Sequence, residues 1–480
     1  MVFSTYLFLF AFLPAVLLGY YALPGLIKPF GPSVELISRS RNSFLLVMSY
    51  LFYGWWNPWF ILLMLFVTAV NYACGLAISR PGVSARGRFW GVTAAVVISL
   101  STLGFFKYWM FFQTNLNHVL ASLGADGLRV LQITLPIGIS FYVFHCLSYT
   151  VDVYRGTAPP ARSFPDFACY IALFPQLVAG PIIRYNTVAD QLVRRDHGWD
   201  KFASGVALFI LGLSKKVLLA NPVSEIADTA FGAQSLTAVD AWFGVVAYAF
   251  QIYFDFSGYS DMAVGLGRMI GFEFLKNFNS PYLADSITEF WRRWHISLST
   301  FLRDYLYLPL GGNRKGPRRT YLNLAVVMLL GGLWHGANWT FVMWGAYHGL
   351  LLAGERWLGK QSVYHRLPRP LRVGITFVLV LFAWVLFRSE TLPDALRYFG
   401  CMFGAGGDGV GAALLAAQLY RRGTLLLMAL CAFCVLWPTQ AHEWSAQITW
   451  PKALALAPAF ALALMALFAQ AFNPFLYFQF

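Results

Sequence analysis

Apolar residues run in blocks along nearly the whole chain. Blocks cover residues 3–22, 43–56, 59–78, 90–112 and 134–151, and later 202–220, 242–256, 424–437 and 453–468. Most approach the roughly 17–25 residues that a helix needs to cross a hydrocarbon core, so the pattern predicts an all-α polytopic membrane protein with about ten to twelve passes. The block 3–22 has no Lys or Arg before it and no small-residue cleavage site after it, so it is expected to persist as the first span. Residues 167–183 read differently, because Pro175, Gly180 and Pro181 remove donors and free the backbone. A broken or re-entrant segment is expected there, lining protein or a water-filled cavity that satisfies its polar groups. The chain reads as one integral-membrane domain, 1–480, with N-terminal spans in 1–155, a core in 160–360 and C-terminal spans in 370–480. No internal repeat relates the halves, which disfavours a transporter built from inverted repeats.

Composition sharpens this picture. Hydrophobic residues make up 58% and charged residues 12% of the 480, against about 25% charged in an ordinary soluble chain. A net charge of +14 would suggest nucleic acid in a soluble protein, but here the cations sit in short loops between apolar blocks. Lys28, Arg39 and Arg41 follow the first block, Arg80, Arg86 and Arg88 the third, and Arg155 and Arg162 the fifth, while the hairpin at Trp55 to Pro58 carries no charge. Basic loops alternate with basic-poor ones, so the positive-inside rule places the N-terminus outside, in the periplasm, and the 28–41 loop in the cytoplasm. The six cysteines lie in or beside apolar segments, and Cys431 and Cys434, despite their C-x-x-C spacing, read as buried helix.

Chemistry concentrates between residues 253 and 347. Ser286 and Glu289 have capping-box spacing, so a helix is expected to start there and run through Trp291, Trp294, His295, Leu298, Leu302 and Tyr305 on one face. His295 then shares an apolar face, on a helix too polar for a lipid-exposed crossing. A lone histidine in that position is more often a satisfied core residue than a functional one. His335 alters that weighing. The apolar run 321–334 before it covers only about 21 Å at 1.5 Å per residue, too short to span, so His335 is expected inside the membrane. Gly331, Gly332 and Gly336 around it allow close approach and a bend. An ionisable group at that depth is costly and marks a functional site. A neutral imidazole could take the proton from a hydroxyl attacking a thioester, with His295 or Asn338 donating to the oxyanion. The chain has no G-x-S-x-G elbow, Walker A loop or H-E-x-x-H motif.

These motifs are similar to those of the membrane-bound O-acyltransferase family, in particular the bacterial branch that acetylates alginate. The resemblance runs through Phe254 to Asp261, Phe290 to Leu298, Phe301 to Tyr305, Pro309 to Gly312 and Trp334 to Trp339. It extends to Val2-Phe3-Ser4 and to Phe174-Pro175-Gln176 with Gly180-Pro181, and covers most of residues 1–390. It implies a ring of helices around a thin centre with a tunnel meeting at the histidines. It also implies a catalytic role for His335 in the W-H-G motif and His295 in the R-W-H motif as its partner. An acetyl group would move from a cytoplasmic donor, acetyl-CoA, toward a polysaccharide or protein hydroxyl outside, with periplasmic acetyltransferases as partners, in the bacterial inner membrane. No tightly bound cofactor, metal or nucleic acid is implied. Related members acetylate cellulose or pass D-alanine toward teichoic acid, and no residue here selects among those polymers.

Trp294, Arg303, Asp304 and Asn338 are the further substrate-binding candidates. Arg303 and Asp304 are adjacent, so on a helix they are expected to diverge, leaving Arg303 for a donor phosphate or for snorkelling. Asp255 and Asp261 could orient a hydroxyl, or cap or pair with Arg268. The basic loop Arg314, Lys315, Arg318 and Arg319 suits coenzyme A phosphates or anionic lipid. His348, about three and a half turns beyond His335, reads as structural. Two other functions fit the same chain: a flippase for lipid-linked sugar using a histidine proton relay, and a scaffold that anchors periplasmic enzymes.

Overall fold

The computed structural model describes residues 1–31, 33–359, 362–407, 410–470 and 475–476, and among these every regular element is helical. The chain forms two compact units, Met1–Val206 with Ala263–Leu275, and Ala207–Met262 with Lys276–Phe480.

In the first unit, the helices Val34–Gly54, Trp59–Ser79, Ala85–Leu103 and Ile139–Arg155 form the frame. Ser33 and Ser84 cap two of them, each hydroxyl accepting from a backbone N–H three residues on. A polar relay knits three helices inside this apolar setting. Asn71 donates to Ser99 Oγ at 2.9 Å and accepts from Thr150 Oγ1 at 2.8 Å. Such bonds satisfy groups that lipid cannot. The segment with Pro175 is broken, as expected: Phe164–Ala172 and Phe174–Leu177 are short, buried helices separated at Leu173.

The second unit contains the helix pair Gly316–His335 and Trp339–Trp357, followed by Arg369–Arg388. A Cβ at Gly332 would collide with the carbonyl of Phe341, and one at Gly345 with that of Met328, so the pair meets backbone to backbone. The helix Ala238–Met269, mostly in this unit, carries Asp255 and Asp261. Lys216 pairs with Asp255 at 2.5 Å, and Lys215 with Asp261 at 2.6 Å. Arg268 pairs instead with Glu273, so the pairing expected for the two aspartates is replaced by lysines. Both lysines belong to a π-helical turn, Lys215–Ala220, which leaves no mark in composition.

Six helices among the described residues are long and apolar enough to cross a membrane, or seven if the bent pair Ala413–Leu419 and Arg422–Leu436 is one span. That is fewer than the ten to twelve expected. Gly316–His335 has the length but opens on Arg318, Arg319 and Thr320, while the expected block 134–151 is helical only from Ile139. The chain is an all-α, multi-pass membrane protein.

Candidate functional site

The site is built within the second unit, starting from the loop at residues 277–280. Asn279 N–H donates to Arg293 O at 3.0 Å, and Ile296 N–H donates to Asn277 O at 2.9 Å. Between these bonds the chain must turn sharply, and His295 takes a left-handed conformation with φ 44° and ψ 54°. Among described non-glycine residues, Ser280 is the other with positive φ, and Gln440 holds it through Oε1 from its N–H and Nε2 to its Oγ. Such backbone costs on the order of 1–3 kcal/mol and persists only where its surroundings over-determine it. The helix predicted to run through His295 is therefore two helices, Ile287–Arg293 and Ile296–Leu302, broken at the histidine. Ser286 does cap the first, but the Glu289 carboxylate pairs with Arg293 at 2.7 Å instead of completing the box. Glu355 supplies the remaining anchor, accepting from Ile287 and Thr288 N–H at 2.7 and 2.9 Å.

His295 is wholly buried. Its Nδ1 lies 3.1 Å from Asn277 Oδ1, and its Nε2 has no hydrogen-bond partner among the described residues. Phe256 meets the ring edge-on at 4.7 Å.

His335 ends the helix Gly316–His335, and extended Gly336 (φ −165°) carries the chain out. This helix begins earlier than the apolar run suggested, so it is about 30 Å long instead of about 21 Å. Gly316 to Thr320 add no apolar residue to the run, yet Pro317 at the helix start and the polar Arg318, Arg319 and Thr320 are helical. His335 is nonetheless buried, with the rings of Trp344 and Phe387 each 5.1 Å away. The two imidazoles come together from elements separated in sequence, with ring centres 6.4 Å apart and planes at 59°.

The other candidates take different places. Trp294 is buried against Phe290 at 5.6 Å and Trp384 at 4.9 Å, forming wall. Asn338 caps Trp339–Trp357 by accepting from Thr340 N–H at 3.1 Å, and its amide donates to Glu390 O at 2.7 Å. Arg303 and Asp304, expected to diverge, pair at 2.6 Å. They open the π-helical turn Arg303–Tyr307, where more residues share each turn and the long arginine folds back on its neighbour. That hydrogen bond with Asp304 raises the guanidinium pKa further above its ordinary value. His348 accepts from Trp291 Nε1 at 3.3 Å and lies 4.9 Å from Trp344, so one tryptophan ring joins it to His335. A polar cavity of about 240 Å³ has Asp228, Arg388, Glu390, Asp394 and Arg397 in its lining. Arg388 pairs with Asp228 at 2.7 Å. Asn277 carries no signal in the sequence, because its bonds run to residues 18 and 20 positions away.

The model of the MBOAT, membrane-bound O-acyltransferase family, matches residues 63–389, which contain both histidines. The chain belongs to the membrane-bound O-acyltransferase family. It is 45% identical to a protein of Azotobacter vinelandii named "Probable alginate O-acetylase AlgI", over all of both chains. A protein of the same name in Pseudomonas aeruginosa is 50% identical over 85% of this chain and 75% of its own. The peptidoglycan O-acetyltransferase of Helicobacter pylori is 34% identical over 100% of this chain and 98% of its own. The protein is thus an O-acyltransferase of the membrane, and its two buried histidines lie within the matched region.

Proposed function

We propose that this enzyme transfers an acetyl group from acetyl-CoA, reached from the cytoplasm, to a hydroxyl of an exported polysaccharide, with His335 as the base and His295 as its partner. The observation that carries the reading is the meeting of two buried imidazoles whose ring centres lie 6.4 Å apart. The substrate class is supported by the names of the relatives, with alginate the first polymer to test. Periplasmic acetyltransferases are the partners proposed to complete delivery, and the inner membrane is the proposed location, with the N-terminus outside.

In the reaction, a basic imidazole nitrogen accepts the hydroxyl proton as the oxygen attacks the thioester carbonyl. The C–S bond then breaks, an ester C–O bond forms, and the departing thiolate takes up the proton. No redox partner is needed. Desolvation inside apolar walls keeps water from competing for the acyl group.

The test is transfer of labelled acetyl from acetyl-CoA by purified protein in liposomes, with alginate as acceptor. His335→Ala is expected to lower kcat by about 10²–10⁴, the range for loss of a general base. Normal turnover in that variant would overturn the assignment. Transport coupled to a pH gradient without acyl transfer would favour a flippase instead.

A further inference from the structure

Three hydrogen bonds converge on a single oxygen beside His295. Asn277 Oδ1 faces the backbone N–H of Ser297 at 3.1 Å, the Ser297 hydroxyl at 2.9 Å and His295 Nδ1 at 3.1 Å. A backbone N–H can only donate, so the Asn277 atom facing it must be the amide oxygen. An amide flip would set NH₂ against N–H and is excluded by the same contact. Because that oxygen can only accept, the imidazole nitrogen 3.1 Å away carries the proton, while Ser297 Oγ, 3.5 Å from the same nitrogen, gives its own proton to the nearer Asn277 oxygen at 2.9 Å. The neutral ring then has its proton on Nδ1 and its lone pair on Nε2. Nε2 is the buried atom without a hydrogen-bond partner among the described residues.

We propose that Asn277 is a positioning residue that fixes His295 as the Nδ1–H tautomer, so that its Nε2 presents a lone pair to the centre where His335 acts as base, and does not act as an oxyanion donor. This rests on the reading that acyl transfer occurs at the two histidines. The backbone supports it independently. The strained turn at His295 is held by Asn277 O on one side and Asn277 Oδ1 on the other, so one residue sets both the ring's direction and its tautomer. The logic is that of a carboxylate holding the base of a serine hydrolase, with a neutral amide in its place. A neutral holder suits this setting, because a buried carboxylate would stabilise imidazolium and leave more of the ring already protonated, with no lone pair on Nε2, near neutral pH.

Few charges compete for control of the ring. From the helix Ala238–Met269, which contributes Phe256, the nearby ionisable groups are Asp255 and Asp261, paired with Lys216 and Lys215. From the helix Gly316–His335 the group is His335 itself. In its own turn Arg293 is paired with Glu289, and in the facing loop Lys276 contacts His442.

The experiment compares Asn277→Asp, Asn277→Ser and Asn277→Ala in reconstituted protein, reading kcat, KM for acetyl-CoA and the pH profile. Asn277→Asp keeps the acceptor and adds charge, so imidazolium persists to higher pH. Its acidic limb is expected to move up by one pH unit or more, with the alkaline kcat within about tenfold of wild type. Asn277→Ala is expected to lose about 10²-fold or more in kcat with KM unchanged within threefold, as befits a partner histidine in the wrong tautomer. Asn277→Ser, retaining a shorter acceptor, should exceed Asn277→Ala by at least tenfold. An Asp variant that folds but is inactive, or whose acidic limb coincides with wild type, overturns the proposal. Should the Asp variant not fold, equal kcat for Ser and Ala overturns it. Absence of transfer by wild-type protein would instead strike the acyl-transfer reading, so the two failures are distinct.

Discussion

Asn338 follows His335 closely in sequence, and it is the amide that a developing oxyanion would be expected to find first. Both its polar groups are already engaged, with Thr340 N–H and Glu390 O. Asn338→Asp keeps the cap and removes the amide donor, so kcat in the labelled-acetyl assay is expected to stay within about threefold of wild type. A true oxyanion donor would cost about 10²–10³. Asn338→Ala loses the cap and is expected to cost about 1 kcal/mol, read as a lower Tm. The same contrast explains what the sequence could reveal of single residues. His335 and His295 were conspicuous, since an ionisable side chain in apolar surroundings demands a reason. Asn277 sits among Lys276, Phe278, Asn279 and Ser280, where an asparagine looks like any turn residue. Its meaning arises only after the chain folds back on the R-W-H segment.

At the scale of elements, the glycines before His335 separate into two kinds. A methyl at Gly332 would strike the Phe341 carbonyl, which belongs to a packed helix and cannot yield, whereas one at Gly331 meets only Leu302 Cδ1 at 3.3 Å. Gly332→Ala is therefore expected to cost about 1–3 kcal/mol as overpacking, seen as a Tm drop in detergent, while Gly331→Ala stays near wild type. If the two variants melt alike, the backbone contact does not hold the helix pair together. The glycine cluster in the sequence pointed to close approach without saying which residue made it. Proline and glycine also announced the broken segment that became Phe164–Ala172 and Phe174–Leu177. The π-helical turns had no such signal, because an extra residue in a turn alters spacing and leaves composition untouched. Both helical-face expectations that failed, continuity through His295 and divergence of Arg303 from Asp304, assumed an uninterrupted 3.6-residue period.

For the whole molecule, the helices of the second unit give the reaction a direction. Gly316–His335 begins at the cations Arg318 and Arg319 and ends at His335. Arg369–Arg388 begins at Arg369 and Arg372 and ends at Arg388, which is neutralised by Asp228 and follows Phe387, whose ring contacts His335. Two helices thus place the histidine at the end opposite their cationic starts, about 25 Å from Arg318 along the first. The positive-inside rule applied to this unit's own loops predicts that the cationic ends face the cytoplasm, with His335 toward the outer side. The acetyl donor must then reach inward from one face while the hydroxyl arrives from the other. The expected outcome is sidedness. Right-side-out vesicles loaded with labelled acetyl-CoA should acetylate an impermeant polysaccharide added outside, and inside-out vesicles given both substrates externally should label it far less. Equal labelling in the two preparations would show that donor and acceptor share one approach to His335, and transfer across the membrane would have to be abandoned.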